Sequence, residues 1–142
     1  MTERTWTAVG EKYQIPARPD GLWTKVCDLV EGPLKLRLEA KGEWEFSKKR
    51  CGPDGSVKEG LVTDALVPWA PVGALVGKVG GSTADKPDLA RLGVFFVFAV
   101  GSYCVVILES TVRGALFLTM NDVMAGFDGH TGAIEVAISE AR

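Results

Sequence analysis

From Leu34 to Phe46 the chain alternates without a break: Leu34, Leu36, Leu38, Ala40, Gly42, Trp44 and Phe46 hold the even positions, and Lys35, Arg37, Glu39, Lys41, Glu43 and Glu45 the odd ones. Side chains on an extended strand point in turn to opposite faces, so a period of two sends the first set to a core and the second to water. Such a segment demands an antiparallel sheet with one dry face and one wet one. Its 13 residues exceed the usual strand of about 5 to 6, which predicts a bend or bulge near Gly42. The end of the chain repeats the pattern, with Ile134, Val136 and Ile138 inward and Glu135, Ala137 and Ser139 outward, and reads as the final strand.

Between these lie Leu61 to Leu66, Gly73 to Val79, Val94 to Val100, Cys104 to Leu108 and Ala115 to Met120, each short, apolar and bounded by turn residues. No segment has the spacing of a long amphipathic helix. With 17 Gly and 7 Pro spread along the whole chain, the pattern predicts many short strands and turns. Residues 1–142, 15.2 kDa, are expected to form one all-β domain, an antiparallel β-sandwich or jelly roll of about eight strands. Leu36, Leu38, Trp44, Leu116, Leu118, Val136 and Ile138 should share its core. Leu92 to Leu108 carries no charge over 17 residues, the short limit for a membrane helix of about 17 to 25. Gly93, Gly101 and Ser102 interrupt it, so it reads as two buried strands turning near Gly101-Ser102, without membrane insertion. Gly80 to Asp88 is polar and rich in breakers, and reads as a mobile surface excursion.

Sixteen Lys and Arg stand against eighteen Asp and Glu, a net charge of -2, and the two signs interleave. No basic field is available to hold a polyphosphate backbone, which argues against nucleic acid as a partner. Lys48-Lys49-Arg50 precedes Gly52-Pro53-Asp54-Gly55 and reads as part of a solvated turn. The odd trio Cys27, Cys51 and Cys104 shows no CxxC spacing, and the N-terminus has no basic stretch followed by an apolar one. Free thiols and a cytoplasmic location follow as expectations, with release by a non-classical route left open.

His130 is the only histidine, and no triad or Cys-His signature surrounds it, so the expectation is a protein that is not an enzyme. Glu43 and Glu45 share a face with Lys35, Arg37 and Lys41, which reads as solvated surface. Of the four tryptophans, Trp44 has core parity, Trp6 and Trp23 lie beside plausible strands, and Trp69 in Val67-Pro68-Trp69-Ala70-Pro71 is placed for exposure. Asn121 to Gly132 combines two carboxylates, an amide, a hydroxyl and several carbonyls in a glycine-rich loop. That chemistry can wrap a hard cation such as calcium, and it is also the chemistry of ordinary turns.

Several pieces, in order, resemble the PA-IL-like galactophilic lectins, a family of small bacterial calcium-dependent β-sandwich lectins. They are Ala40 to Trp44, Gly52-Pro53-Asp54-Gly55, Glu59-Gly60-Leu61-Val62, Gly73 to Gly80, Phe98 to Gly101, Gly114 to Asp122 and Gly132 to Ile138. The resemblance covers roughly the last hundred residues and implies a jelly-roll-like, galactose-binding-domain-like sandwich whose final loop holds calcium, which in turn coordinates two sugar hydroxyls. It aligns Asp122 with an acidic ligand, Val123 with a sugar-contacting backbone position, and Gly126 with a residue that ligates through its carbonyl. Gly129 and His130 stand where the family has two oxygen-bearing side chains, and Asp128, one place early, is the candidate substitute. In the loop after the Gly-Pro-x-Gly turn, Glu59 takes a glutamine's position and the family's contact histidine is missing.

The implied function is carbohydrate binding, with galactosides favoured, a glycan or glycoconjugate as partner and a homo-oligomeric state. Calcium binding, where it occurs, is expected to be weakened and to rest on Asp122, Gly126 and Asp128. Glu59, Trp69, Asp122, Val123 and His130 would contact the sugar. The alternative is a sandwich of the same fold with a degenerate calcium site, serving as an oligomeric or partner-binding module.

Overall fold

The computed structural model describes residues 5–18, 22–56, 61, 65–81, 96–122 and 129–142. Among the described residues the strands, ten where the sequence suggested about eight, are β1 (Thr7–Ala8), β2 (Tyr13–Pro16), β3 (Thr24–Glu31), β4 (Leu34–Phe46), β5 (Lys49–Cys51), β6 (Leu75–Val79), β7 (Phe96–Ala99), β8 (Tyr103–Leu108), β9 (Arg113–Met120) and β10 (Thr131–Ala141). All pairings are antiparallel. In the first sheet β4 runs beside β10 from Lys35 to Glu45, β1 and β2 pair with the far side of β10, and β8 and β5 pair with the far side of β4. The second sheet has the order β3-β9-β6-β7.

The two sheets close on one core. Leu36, Leu38, Trp44, Leu116, Leu118, Val136 and Ile138 all lie in it, with Ile15, Leu75, Leu108 and Met120. The alternation of β4 is borne out: Leu34, Leu36, Leu38, Trp44 and Phe46 are buried, while its charged residues are exposed or half-buried. Arg37 pairs with Glu39 at 3.2 Å and lies 4.6 Å over the Trp6 ring. Lys41 and Lys12 both reach Glu135, and Arg50 reaches Glu43 and Glu45. These are pairs of a wet face, where solvent screens most of their attraction.

The length of β4 has a different cause from the expected bulge. Its register with β10 is continuous, and Gly42 sits within it at φ +114. On its other side β4 serves two partners in turn, β8 along residues 34–39 and β5 along residues 44–46. The register breaks lie instead in β3, between Lys25 and Cys27 and between Cys27 and Val30.

Other expectations need correction. Phe96–Ala99 and Tyr103–Leu108 are strands, but they pair in opposite sheets, so the turn near Gly101 carries the chain from one layer to the other. β8 is not buried on both faces, because Tyr103, Val105 and Ile107 are exposed. Of the stretch from Leu61 to Leu66, Leu61 makes a bridge to Pro71, and residues 62–64 lie outside the described residues. β1, β2, β3 and β5, which carry weak alternation, are additional elements. Residues 82–88 of the surface excursion lie outside the described residues.

A second, smaller cluster sits on the outer face of the second sheet. Val76 and Phe117 point away from the main core by parity, yet both are buried with Trp23, Leu66, Val67, Ala70 and Ala74. Residues 65–74 therefore act as a cover on that face. Beneath it Lys78 is wholly buried, its ammonium 4.8 Å from the Trp23 ring centre and 5.1 Å from that of Phe117, a cation over two π faces.

Candidate functional site

β9 ends at Met120, and the next two residues organise one end of the sandwich. Asn121 is fully buried. Its Oδ1 accepts the Val67 N–H at 2.8 Å, and its Nδ2 donates to the carbonyls of Val67, Ala70 and Pro71 at 3.0, 3.0 and 3.2 Å. Its backbone extends the clamp, with Gly73 N–H donating to Asn121 O and Asn121 N–H to Ala74 O, both at 2.8 Å. One amide side chain thus fixes the turn around Trp69, which stands 50% exposed. Trp44 adds a bond from beneath, its Nε1–H donating to Gly73 O at 2.8 Å.

Asp122 makes the second link. Its carbonyl accepts the Leu66 N–H at 3.0 Å, and its Oδ2 lies 2.9 Å from His130 Nε2. A carboxylate accepts, which assigns the proton to Nε2 of the imidazole. The side chains are 8% and 0% exposed, so the pair is an interior one. From the expected set the fold pairs Asp122 with His130, and the loop that displays Trp69 is bonded to Asn121 and, through Leu66 N–H, to the Asp122 carbonyl. Glu59, Val123, Gly126 and Asp128 lie outside the described residues.

Calcium takes 6 to 8 oxygen ligands. Among the described residues the Asp122 carboxylate is already bonded to an imidazole, that of Asp54, bridged to Ala74, accepts from Ser102 N–H and Oγ–H, and the side-chain amide of Asn121 is spent on the cover loop. Gly129 has no side-chain donor, and a Cβ there would stand 3.1 Å from Ser47 N. No group of three His, Cys, Asp or Glu residues suited to a metal occurs among the described residues. These residues alone do not fit a hard cation.

One thiol lies against the clamp, Cys51 Sγ–H donating to Gly73 O at 3.6 Å. Cys27, Cys51 and Cys104 are all free and partly buried. Burial pushes the Cys51 thiol up, against a hydrogen bond with Trp44 that lowers it and the Glu43 charge that raises it. Burial likewise raises Cys104. Thiols held protonated are poor nucleophiles.

Asn121 escaped the reading of the sequence as a positioning residue, since a loop rich in Asn, Asp and Gly gives no sign of which amide turns inward. Its place directly after a buried strand was the available signal.

No protein-family model matches the chain, and no curated protein matches it. Among solved structures, one described as the EclA N-terminal domain, a PllA-like lectin, superposes with a TM-score of 0.57 at 11% identity, over 96% of this chain and 97% of that one. At that identity the likeness is one of fold, an all-β sandwich.

Proposed function

We propose that the protein is a lectin-type carbohydrate-binding module that takes its ligand at the end of the sandwich where the turn carrying Trp69 is bonded to Asn121 and Asp122. The observation that carries this reading is the clamp at Asn121, which fixes the backbone on both sides of the exposed Trp69, next in sequence to Asp122 with its bond to His130. A fixed aromatic face stacks on the apolar side of a sugar ring at little entropic cost. The likeness to a lectin domain over nearly all of both chains supports the same reading, and the resemblance to the PA-IL-like family favours galactosides.

The metal follows from the donor set. With Asp122 tied to His130, calcium would need Asp128 and the carbonyl of Gly126, and sugar recognition would lean on direct contacts from Glu59, Trp69 and the backbone of Val123. The closed Asp122–His130 pair also favours a second reading, a sandwich of this fold that has given up sugar and serves as an oligomeric or partner-binding module.

A glycan array with and without chelator, followed by calorimetry on the best galactoside, tests the proposal. Binding that Trp69→Ala abolishes without a change in melting temperature is the expected result. An array with no bound glycan at any calcium concentration would overturn it in favour of the second reading.

A further inference from the structure

Open sheet edges invite pairing, and soluble proteins blunt them with charge, proline, bulges or shortness. Among the described strands most edges are protected in this way. β1 has two residues and β2 ends in Pro16; β5 is three residues with Lys49 and Arg50. β3 carries Lys25, Asp28 and Glu31 and two register breaks, and β7 adjoins residues outside the described ones.

β8 is the exception. Its six residues, Tyr-Cys-Val-Val-Ile-Leu, include no charge and no proline, and its register with β4 is unbroken. Exposure reaches 61% at Tyr103, 43% at Val105 and 62% at Ile107. The direction of its backbone follows from one bond. Ala40 N–H donates to Ser102 O, and hydrogen-bonded positions alternate along an antiparallel ladder. Cys104, Val106 and Leu108 therefore bond to β4, and the N–H and C=O groups of Tyr103, Val105 and Ile107 point out of the sheet.

We propose that β8 pairs with β8 of a second copy of this chain, antiparallel, about a two-fold axis at Val105, so that the two six-stranded sheets become one. The sequence of the edge is self-complementary in that register. Val105 meets its own counterpart, and Tyr103 meets the partner's Ile107, an aromatic facing a β-branched side chain, a favourable cross-strand pair. The three outward residues supply up to about six interchain backbone bonds. On the neighbouring strand, Glu39 lies beside Tyr103 and Lys35 beside Ile107. The two-fold lines Glu39 up with the partner's Lys35 across the joint, whereas a parallel pairing in register would set like charges in line. Arg37, at the centre, has its charge offset by Glu39. Ile107 also borders a groove of about 680 Å³ with Pro33, Lys35 and Arg142, and the partner's Tyr103 arrives at its mouth. An isologous contact of this kind closes at two copies, and it sets two glycan-binding ends on one particle, where linked sites gain avidity.

Sedimentation of the full chain at concentrations up to about 100 µM, together with amide hydrogen exchange, tests the pairing. A dimer is expected in which the amides of Tyr103, Val105 and Ile107 are protected and lose that protection on dilution. Ile107→Lys is expected to raise the dissociation constant by about thirtyfold or more, the loss typical of a central contact. Its melting temperature when monomeric should match that of the diluted wild-type chain, since Ile107 packs on solvent. A monomer at the highest concentration overturns the proposal. So does a dimer whose β8 amides exchange freely, or one that Ile107→Lys leaves intact. Trp69→Ala leaves the dimer unchanged and Ile107→Lys leaves glycan affinity per chain unchanged, so the two proposals fail separately.

Discussion

Asn121→Ala is the sharpest perturbation of this molecule, because one small side chain holds the cover loop by four hydrogen bonds. A net bond is worth about 0.5–1.5 kcal/mol, so four give about 2–6, and truncation also strips the buried Val67 N–H and Ala70 C=O of the partner Asn121 supplies, while Val67 C=O keeps the Ala70 N–H. Escape by opening the loop is not free. Leu66, Val67 and Ala70 are 2%, 0% and 1% exposed, and baring the first two alone costs about 1.5–3 kcal/mol each. Both routes converge on a loss of about 3–5 kcal/mol, at least about a fifth of a typical domain's 5–15 kcal/mol. Urea denaturation followed by circular dichroism measures it, with indole fluorescence reporting any separate loosening around Trp69. Asn121→Asp should be at least as damaging, because it keeps the acceptor, loses the donor and turns a charge toward three carbonyls. A loss below about 1 kcal/mol for Asn121→Ala, with unaltered fluorescence, would refute the clamp.

Leu38→Ala should cost about 2–5 kcal/mol by denaturant titration, as Leu38 is wholly buried midway along β4 between β10 and β8; the exposed Lys41→Ala should stay within about 0.5 kcal/mol. A double-mutant cycle of Asp122→Asn and His130→Phe should return a coupling of about 1.5–3 kcal/mol for their charge-assisted bond. All three cysteines should label in denatured, non-reduced protein, with Cys51 and Cys104 slow in the folded state. Their raised thiols also fix a pH dependence: the unfolded chain ionises first, so the stability they confer is full below the ordinary value of 9.0 and falls as pH rises above it. The alkaline drop in melting temperature should shrink in Cys51→Ala/Cys104→Ala.

Strand faces are a local property, and there the sequence was decisive. Alternation in β4 and β10 named the core residues Leu36, Leu38, Trp44, Val136 and Ile138, because the period of two is set by the backbone itself whatever the strand pairs with. Partners are not local. That β4 switches from β8 to β5, or that β7 and β8 part into different sheets, depends on contacts far apart in the chain. Lys78 reads as a surface residue in any sequence window, yet it is buried because residues 65–74 fold over Trp23 and Phe117. The site divides the same way. Composition marked the oxygen-rich loop and the Val67-Pro68-Trp69-Ala70-Pro71 turn, but an Asn between two strands carries no sign of which carbonyls it will meet. Only the packing of β9 under the cover loop turned Asn121 inward to hold Trp69, and set the Asp122 carboxylate against His130, since a buried polar side chain must take its partners from whatever tertiary structure brings within 3 Å or so.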